Sequence, residues 1–267
     1  MDGSAILLHM TEPAWTSQDL KSSPHEAADK ARRVEQMFAA IAKSYDLNNR
    51  VHSMWQDQAW RRKTVKLAKL QPGATVLDVA CGTGDLSEAF LKNGAGRVVG
   101  VDFTENMLRV AVHKKDKLVS GGKVMDALSY QVGDAMRLPL ADASVDAVTI
   151  AFGIRNVTLP EVAIQEFYRV LKPGGCVCIL EFSLPRNRLL CGLYNFYFKH
   201  IMPWTATIIA RDKSGAYKYL PMSVNTFIDR EAMVRKMADA GFESIKPTAM
   251  TFGVAICYRG EKLPSSA

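Results

Sequence analysis

Between Thr75 and Phe182 the apolar positions gather into short β-branched runs, TVLDVA, RVVGVD, SYQVGD, VDAVTIAF and GCVCILEF. Stretches with helical spacing separate them, beginning near Asp85, Thr104 and Pro160. Near-continuous apolar runs suit strands buried on both faces, and their alternation with helices predicts a parallel, doubly wound α/β sheet. The end of the chain breaks this rhythm. A helix from about Asp229 to Ala240 stops at Gly241, and FESIKP and FGVAICYRG follow with no helix between them, so the last strand is expected to insert antiparallel. Ahead of the sheet, Val34, Met37, Phe38 and Ile41 mark one helix, and Trp60, Thr64 and Leu67 a second. Residues 1–25 are polar and aperiodic and read as a mobile arm. The domain is expected over 26–260, with a helical cap over 26–70 and a short tail over 261–267.

Composition narrows the picture. A chain of 267 residues with 48% hydrophobic content can bury one α/β core. The net charge of +7 biases it toward anionic surfaces without naming a partner, and no nucleic-acid partner is expected. Five cysteines without paired metal spacing, Cys176 and Cys178 among them on one face of a strand, point to a reduced, cytoplasmic protein. The five histidines show no ligand spacing either, so no metal is expected. No signal peptide is legible at the start, and no run reaches the roughly 18 apolar residues of a spanning helix, so any membrane contact is expected to be peripheral, at the inner face. A homo-oligomer is compatible with the sequence.

The turn after the first strand, VLDVACGTGDLSEAF, carries the chemistry. Gly82 and Gly84 allow close approach of backbone to ligand, and the helix from Asp85 aims its amide donors into the crevice at the strand ends. Asp102 stands 18 residues after Gly84, close to where a carboxylate accepts from both ribose hydroxyls, although it also suits a helix cap. Asp134 can accept from an adenine amino group or simply make a turn before Pro139. A dinucleotide and S-adenosylmethionine both fit this far. Asp78 and Asp85 would repel a pyrophosphate and welcome a sulfonium and an ammonium, and Ser87 stands where the dinucleotide fingerprint has glycine or alanine.

VLDVACGTGD, GVDFTENML, GDAMRLPL and RVLKPGG, in that order, resemble the class I S-adenosylmethionine-dependent methyltransferases. YDLNNRVHSMW, FGIRNV, RVLKPGGCVCILEFS and YKYLPMSVNTF are similar to the ubiquinone/menaquinone biosynthesis C-methyltransferase family. The resemblance implies a Rossmann-like seven-stranded sheet, mostly parallel with the last strand antiparallel, and methylation of a ring carbon of a prenylated quinol. Demethylmenaquinol is the expected acceptor, with 2-methoxy-6-polyprenyl-1,4-benzoquinol, another aromatic small molecule, or a non-catalytic role in a quinone-synthesis assembly as alternatives. It also implies cofactor contacts at Thr83, Asp102, Asp134, Ala135 and Ala151, where relatives often carry serine at the last. Arg155 and Asn156 become the expected catalytic residues, and Tyr45, Asp46, Tyr217 and Tyr219 the acceptor pocket. Tyr258 is given no catalytic role.

A quinol hydroxyl resembles a phenol with a pKa near 10, and polarising it pushes electron density onto the neighbouring carbon. Arginine is a poor base, so Arg155 is expected to stabilise the developing phenolate while water carries the proton. The aromatic, aliphatic and basic stretch 188–210, within a possible insertion over 188–220, reads equally as a lid, an interfacial segment or packed core.

Overall fold

The structure, a computed structural model, describes residues 13–16, 18–119, 127–202, 205 and 214–264. Its core is a sheet of seven strands: β1 Thr75–Val79, β2 Arg97–Asp102, β3 Leu128–Val132, β4 Val145–Ala151, β5 Leu171–Phe182, β6 Glu243–Met250 and β7 Ala255–Glu261. They lie in the order β3-β2-β1-β4-β5-β7-β6. Strands β1 to β5 pair in parallel, while β7 runs antiparallel to both β5 and β6, as the missing helix between FESIKP and FGVAICYRG requires. The strand order reverses between β1 and β4, the switch point where open α/β sheets hold ligands.

Period-two alternation divides the strand residues between two layers. Leu77, Val79, Val177 and Ile179 pack with Ile164 and Phe167 of α6 (Pro160–Val170) and Met233 and Met237 of α9 (Arg230–Asp239). Val76, Cys176 and Cys178 face the other way, toward Trp60 and Val65 of α3 (Gln56–Ala68) and Leu86 and Phe90 of α4 (Asp85–Lys92). The remaining helices are α1 Lys30–Ile41, α2 Tyr45–His52, α5 Glu105–Val119, α7 Arg188–Phe196 and α8 Ala216–Asn225.

A third cluster joins Met37 and Ile41 of α1 to Tyr194, Phe198 and Met202 in and after α7, and to Tyr217 and Tyr219 of α8. Trp15 belongs to it. It is 1% exposed and stacks on Tyr219 with ring centroids 4.8 Å apart. The expected mobile arm is therefore corrected over its described part: one tryptophan surrounded by polar residues shows no periodicity, yet burying it pins the segment. Residues 1–12 and 17 lie outside the described residues. Within 188–210 the alternatives divide by face, since Tyr194, Phe198 and Met202 are buried while Leu189, Leu193 and Phe196 are exposed. Positions 203, 204 and 206–213 lie outside the described residues.

Candidate active site

Two cavities meet on the carboxyl side of β1 and β4. The first is a crevice lined by Ala80, Gly82, Asp102, Phe103, Met107, Gly133 to Met136, and Ala151 to Gly153, together with Phe38 of α1 and Tyr45 of α2. Ala80 and Phe152, the first residues beyond β1 and β4, have φ of +47° and +59°. Left-handed backbone at non-glycine residues costs about 1–3 kcal/mol each, and here it turns both chains at the crevice wall.

Gly82 has φ +57°, and a Cβ built on it would meet only the Met107 Cε, at 3.7 Å. Open space lies in front of it. Its amide donates to Asp102 Oδ2 at 2.8 Å, and Thr104 N donates to Oδ1 at 2.8 Å, so Asp102 ties the glycine loop to the turn after β2. Burial nevertheless pushes the Asp102 carboxyl up against the pull of those amides. Asp134 accepts from Met136 N at 2.9 Å, the turn expected of it, and still faces the crevice. Ala135 and Ala151 line the same space.

Other expected contacts lie elsewhere. Asp78 is buried in the core, where it accepts from Ser87 Oγ at 2.6 Å and Thr149 Oγ1 at 2.9 Å, and burial raises its carboxyl to about 6. Burial would also raise Asp85, but Arg61, Lys114 and Arg50 outweigh it and hold the carboxyl at about 2. Its charge is met at 2.5 Å by Lys114 Nζ and at 3.0 Å by Arg50. The electrostatic argument from these two carboxylates is thereby corrected, because neither lines the crevice. Its conclusion survives on other residues: among the described residues Asp102 and Asp134 face the space and no lysine or arginine does.

Thr83 points away as well, donating at 2.5 Å to Asp46 Oδ1, which also receives Lys114 through its other oxygen. Asp46 thus braces the loop, and it is absent from the lining of the second cavity, where Tyr45, Tyr217 and Tyr219, expected beside it in the acceptor pocket, are found. Gly84 is required by packing: a Cβ there would lie 2.2 Å from Tyr130 Oη, on backbone already at φ +84°. It does not line the crevice.

The second cavity is an apolar chamber lined by Trp60, Phe152, Phe182, Tyr194, Tyr197 and Phe198 together with Tyr45, Tyr217 and Tyr219. Phe152 and Phe182 meet tilted by 34° with centroids 4.5 Å apart, and Tyr194 and Phe198 stack at 4.2 Å. Phe38, Tyr45 and Phe152 line both cavities. Burial raises the Tyr45 phenol despite the nearby Arg61 and Arg155 charges.

Arg155 lies in the short turn after β4 and reaches the chamber from below. Its Nη1 donates to Phe152 O at 2.6 Å and Glu181 Oε1 at 2.8 Å. Burial alone would lower the guanidinium, but the Glu181 carboxylate wins and holds it above its ordinary value. A group so placed stays charged and cannot serve as base. Asn156 faces the crevice and joins the cavities: its Nδ2 donates to Phe152 O at 3.3 Å, and Tyr219 Oη donates to its Oδ1 at 2.9 Å. Burial raises that phenol to about 12, which keeps it a donor.

The sequence model of the ubiE/COQ5 methyltransferase family matches residues 26–262. The chain belongs to this family. The ubiquinone/menaquinone biosynthesis C-methyltransferase UbiE of Geobacter sulfurreducens is 40% identical over 247 residues, 92% of this chain and 94% of its own. The protein of the same name from Geotalea daltonii is 41% identical over 236 residues, 88% of this chain and 98% of its own. Among solved structures, a chain of the complex between the Haloferax volcanii Trm112 activator and its methyltransferase aligns with a TM-score of 0.60 at 18% identity, over 85% of this chain and 99% of that one. An S-adenosylmethionine-dependent methyltransferase from Aquifex aeolicus aligns with a TM-score of 0.54 at 19% identity, over 76% and 89%. These two show the fold alone.

The chain is therefore a methyltransferase of the S-adenosylmethionine-dependent type, and the crevice fits that donor. The space before Gly82 admits a ligand against the backbone, and Phe103, Met107 and Met136 line the crevice together with Asp134. The absence of basic side chains among the described lining residues suits a sulfonium better than a pyrophosphate.

Sequence reasoning missed Phe38, Phe152 and Glu181. The last left a signal: a glutamate inside the apolar run CILEF needs a buried partner.

Proposed function

We propose that this methyltransferase alkylates a ring carbon of a prenylated quinol, with demethylmenaquinol as its acceptor. The observation that carries the reading is the shared wall: an aromatic chamber and the donor crevice meet at Phe38, Tyr45 and Phe152, so a ring in one stands next to a methyl donor in the other. An aromatic-lined chamber that includes the stacked Tyr194–Phe198 pair suits a flat fused ring, which favours the naphthoquinol over the benzoquinol precursor of ubiquinone.

Asp102 would hold the ribose hydroxyls and Asp134 the adenine amino group, with the Gly82, Ala135 and Ala151 backbones against the ligand. When bound, S-adenosylmethionine supplies an electrophilic methyl on sulfur. The protein's own task is to align the acceptor and to activate it. Arg155 would stabilise negative charge as the ring hydroxyl loses its proton to water; the electron pair moves to the adjacent carbon, which takes the methyl and then gives up its own hydrogen as a proton to water, restoring the aromatic ring. Asn156 acts by positioning, since its hydrogen bonds to Phe152 O and Tyr219 fix the partition between the cavities.

The prenyl tail would leave through the chamber mouth. Met54 lines the chamber and is 78% exposed, with Trp55 beside it at 60%. Phe252, at 81%, follows Thr251, whose hydroxyl accepts from Trp60 Nε1 at 2.9 Å and donates to Gln56 Oε1 at 3.2 Å. All three exposed side chains stand on left-handed backbone, φ +51°, +60° and +56°. Apolar groups held outward at the cost of strain support a peripheral seat on a lipid surface. No helix among the described residues is long and apolar enough to cross a membrane.

The test is methyl transfer by the purified chain to each chemically reduced quinol, followed by mass spectrometry. Methylated naphthoquinol formed faster than methylated benzoquinol is the expected result. Donor binding with no transfer to either, even in a single turnover, would sink the reading in favour of a non-catalytic role.

A further inference from the structure

The chamber holds a second guanidinium that the chemistry above does not use. Arg61, on α3, is 6% exposed and lines the chamber. Its Nη1 donates to Asp57 Oδ2 at 3.0 Å and to Asp57 O at 3.3 Å. Its Nε is buried and has no hydrogen-bond partner among the described residues. A guanidinium carries five donors, and one that lines an aromatic cavity with Asp57 as its hydrogen-bond partner keeps donors for a ligand acceptor.

Position says which part of the ligand. Arg61 Cζ lies 5.2 Å from the centroid of Phe152, and Arg155 Cζ lies 5.4 Å from that of Phe182. The two rings are tilted by 34° with centroids 4.5 Å apart, so the guanidiniums contact one aromatic pair from different elements, one after β4 and one on α3. The charges of both reach the Tyr45 phenol on the wall between the cavities. An acceptor with one oxygen needs one such donor. A ring oxygenated at opposite edges can use two.

We propose that Arg61 is the second anchor of the acceptor, its guanidinium donating to the ring oxygen para to the one that faces Arg155. The inference rests on the quinol reading and adds what that reading lacks, a reason for the site to require a 1,4-dioxygenated ring. Arg61 binds the oxygen that does not lose its proton during methylation, so it sets acceptor choice and orientation.

The experiment compares two acceptors of the same ring and tail, the 1,4-diol and its monohydroxy analogue lacking the second oxygen. Arg61→Met alone would strand the Asp57 carboxylate, so the variants are Asp57→Asn/Arg61→Met and Arg61→Lys, with Asp57→Asn as control. Calorimetric binding of S-adenosylmethionine reports that each is folded. In the wild type the diol is expected to win in kcat/KM by about 10- to 100-fold, one buried hydrogen bond's worth of discrimination. The double variant loses that preference through the diol alone, mainly in KM, and Arg61→Lys recovers part of it. Equal losses on both acceptors would make Arg61 a strut for Asp57 and Phe152, and an unchanged preference would remove it from the site. Both results overturn the inference while leaving quinol methylation standing, whereas a wild type that methylates neither acceptor overturns the quinol reading and this inference with it.

Discussion

Arg155→Met removes a guanidinium whose Nη1 serves both Phe152 O and Glu181 Oε1, and it leaves Glu181, 2% exposed, without a counter-charge. Breaking a buried pair from one side costs about 3–5 kcal/mol, a large part of the roughly 5–15 kcal/mol that holds a domain together. Lost activity in the single variant would thus confound chemistry with unfolding. Arg155→Met combined with Glu181→Gln removes both charges, and the glutamine oxygen can still accept from Phe182 N, now at 2.7 Å from the carboxylate. Replacing such a pair is often close to neutral, so the double variant should fold. One fixed donor aimed at developing negative charge is worth about 10²–10³ in kcat. Glu181 already offsets much of the Arg155 charge, which argues for the low end, a fall of about 100-fold. The assay is steady-state methyl transfer at saturating donor, with donor affinity followed by calorimetry. Affinity should stay within about threefold while kcat falls, since Arg155 lines the chamber and not the crevice. A folded double variant with turnover within about threefold of wild type would refute the assignment and shift the oxyanion to Arg61.

Asp102→Ala orphans the amides of Gly82 and Thr104, at about 1–3 kcal/mol each, and also removes a ribose acceptor; thermal melts should show a large loss of stability together with weaker donor binding, and a melt unchanged from wild type would contradict the tie. Asp78, raised to about 6 by burial, binds its proton more tightly folded than unfolded, so its contribution to stability is full below about 4 and is lost as pH rises to about 6. Asp78→Asn should therefore melt at or above wild type at pH 7, by on the order of 2–3 kcal/mol at most, with the difference closing toward pH 4; a variant less stable at pH 7 than at pH 4 relative to wild type would reverse the sign. Gly84→Val should unfold the loop by striking Tyr130, and Tyr130→Ala should restore part of the stability in the pair; normal stability in Gly84→Val alone would contradict the packing argument. Trp55→Ser with Phe252→Ser should weaken sedimentation with phospholipid vesicles without changing donor affinity, and equal sedimentation would remove the rim as a lipid seat.

The parallel sheet and its antiparallel end were legible because buried strands are apolar along their whole length, and the helix missing between β6 and β7 is visible in the sequence as plainly as those that are present. Helix α2 was not. YDLNNRVH carries no apolar stripe, and the helix is held from outside by Arg50 on Asp85 and by Asp46 on Thr83 and Lys114. Helix α8 was hidden by Pro221, which cannot donate within the helix, and its burial of Tyr217, Tyr219 and Val224 outweighs that loss. Spacing pointed to Gly82, Asp102 and Asp134, which line the crevice, and also to Asp78, Thr83 and Asp85, which do not, for one reason. A sequence shows that a polar side chain is near a turn but not which of two faces it takes, and in each case a partner inside the protein had already claimed it.

Tyr45 and Asp46 are consecutive residues, and α2 sends the first to the wall between the cavities and the second to the glycine loop. Any substitution that reshapes the acceptor side of this helix therefore also moves the brace on the donor loop. No residue of α7 or α8 lines the donor crevice among the described residues, although both helices line the chamber. The protein is in this sense modular: one wall is shared property and resists change, and the opposite wall, apart from the hold of Tyr219 on Asn156, borders the chamber alone. Divergence in acceptor range, whether by evolution or in the laboratory, has its free parameters on that second wall, where a new ring or tail can be accommodated without renegotiating the methyl donor.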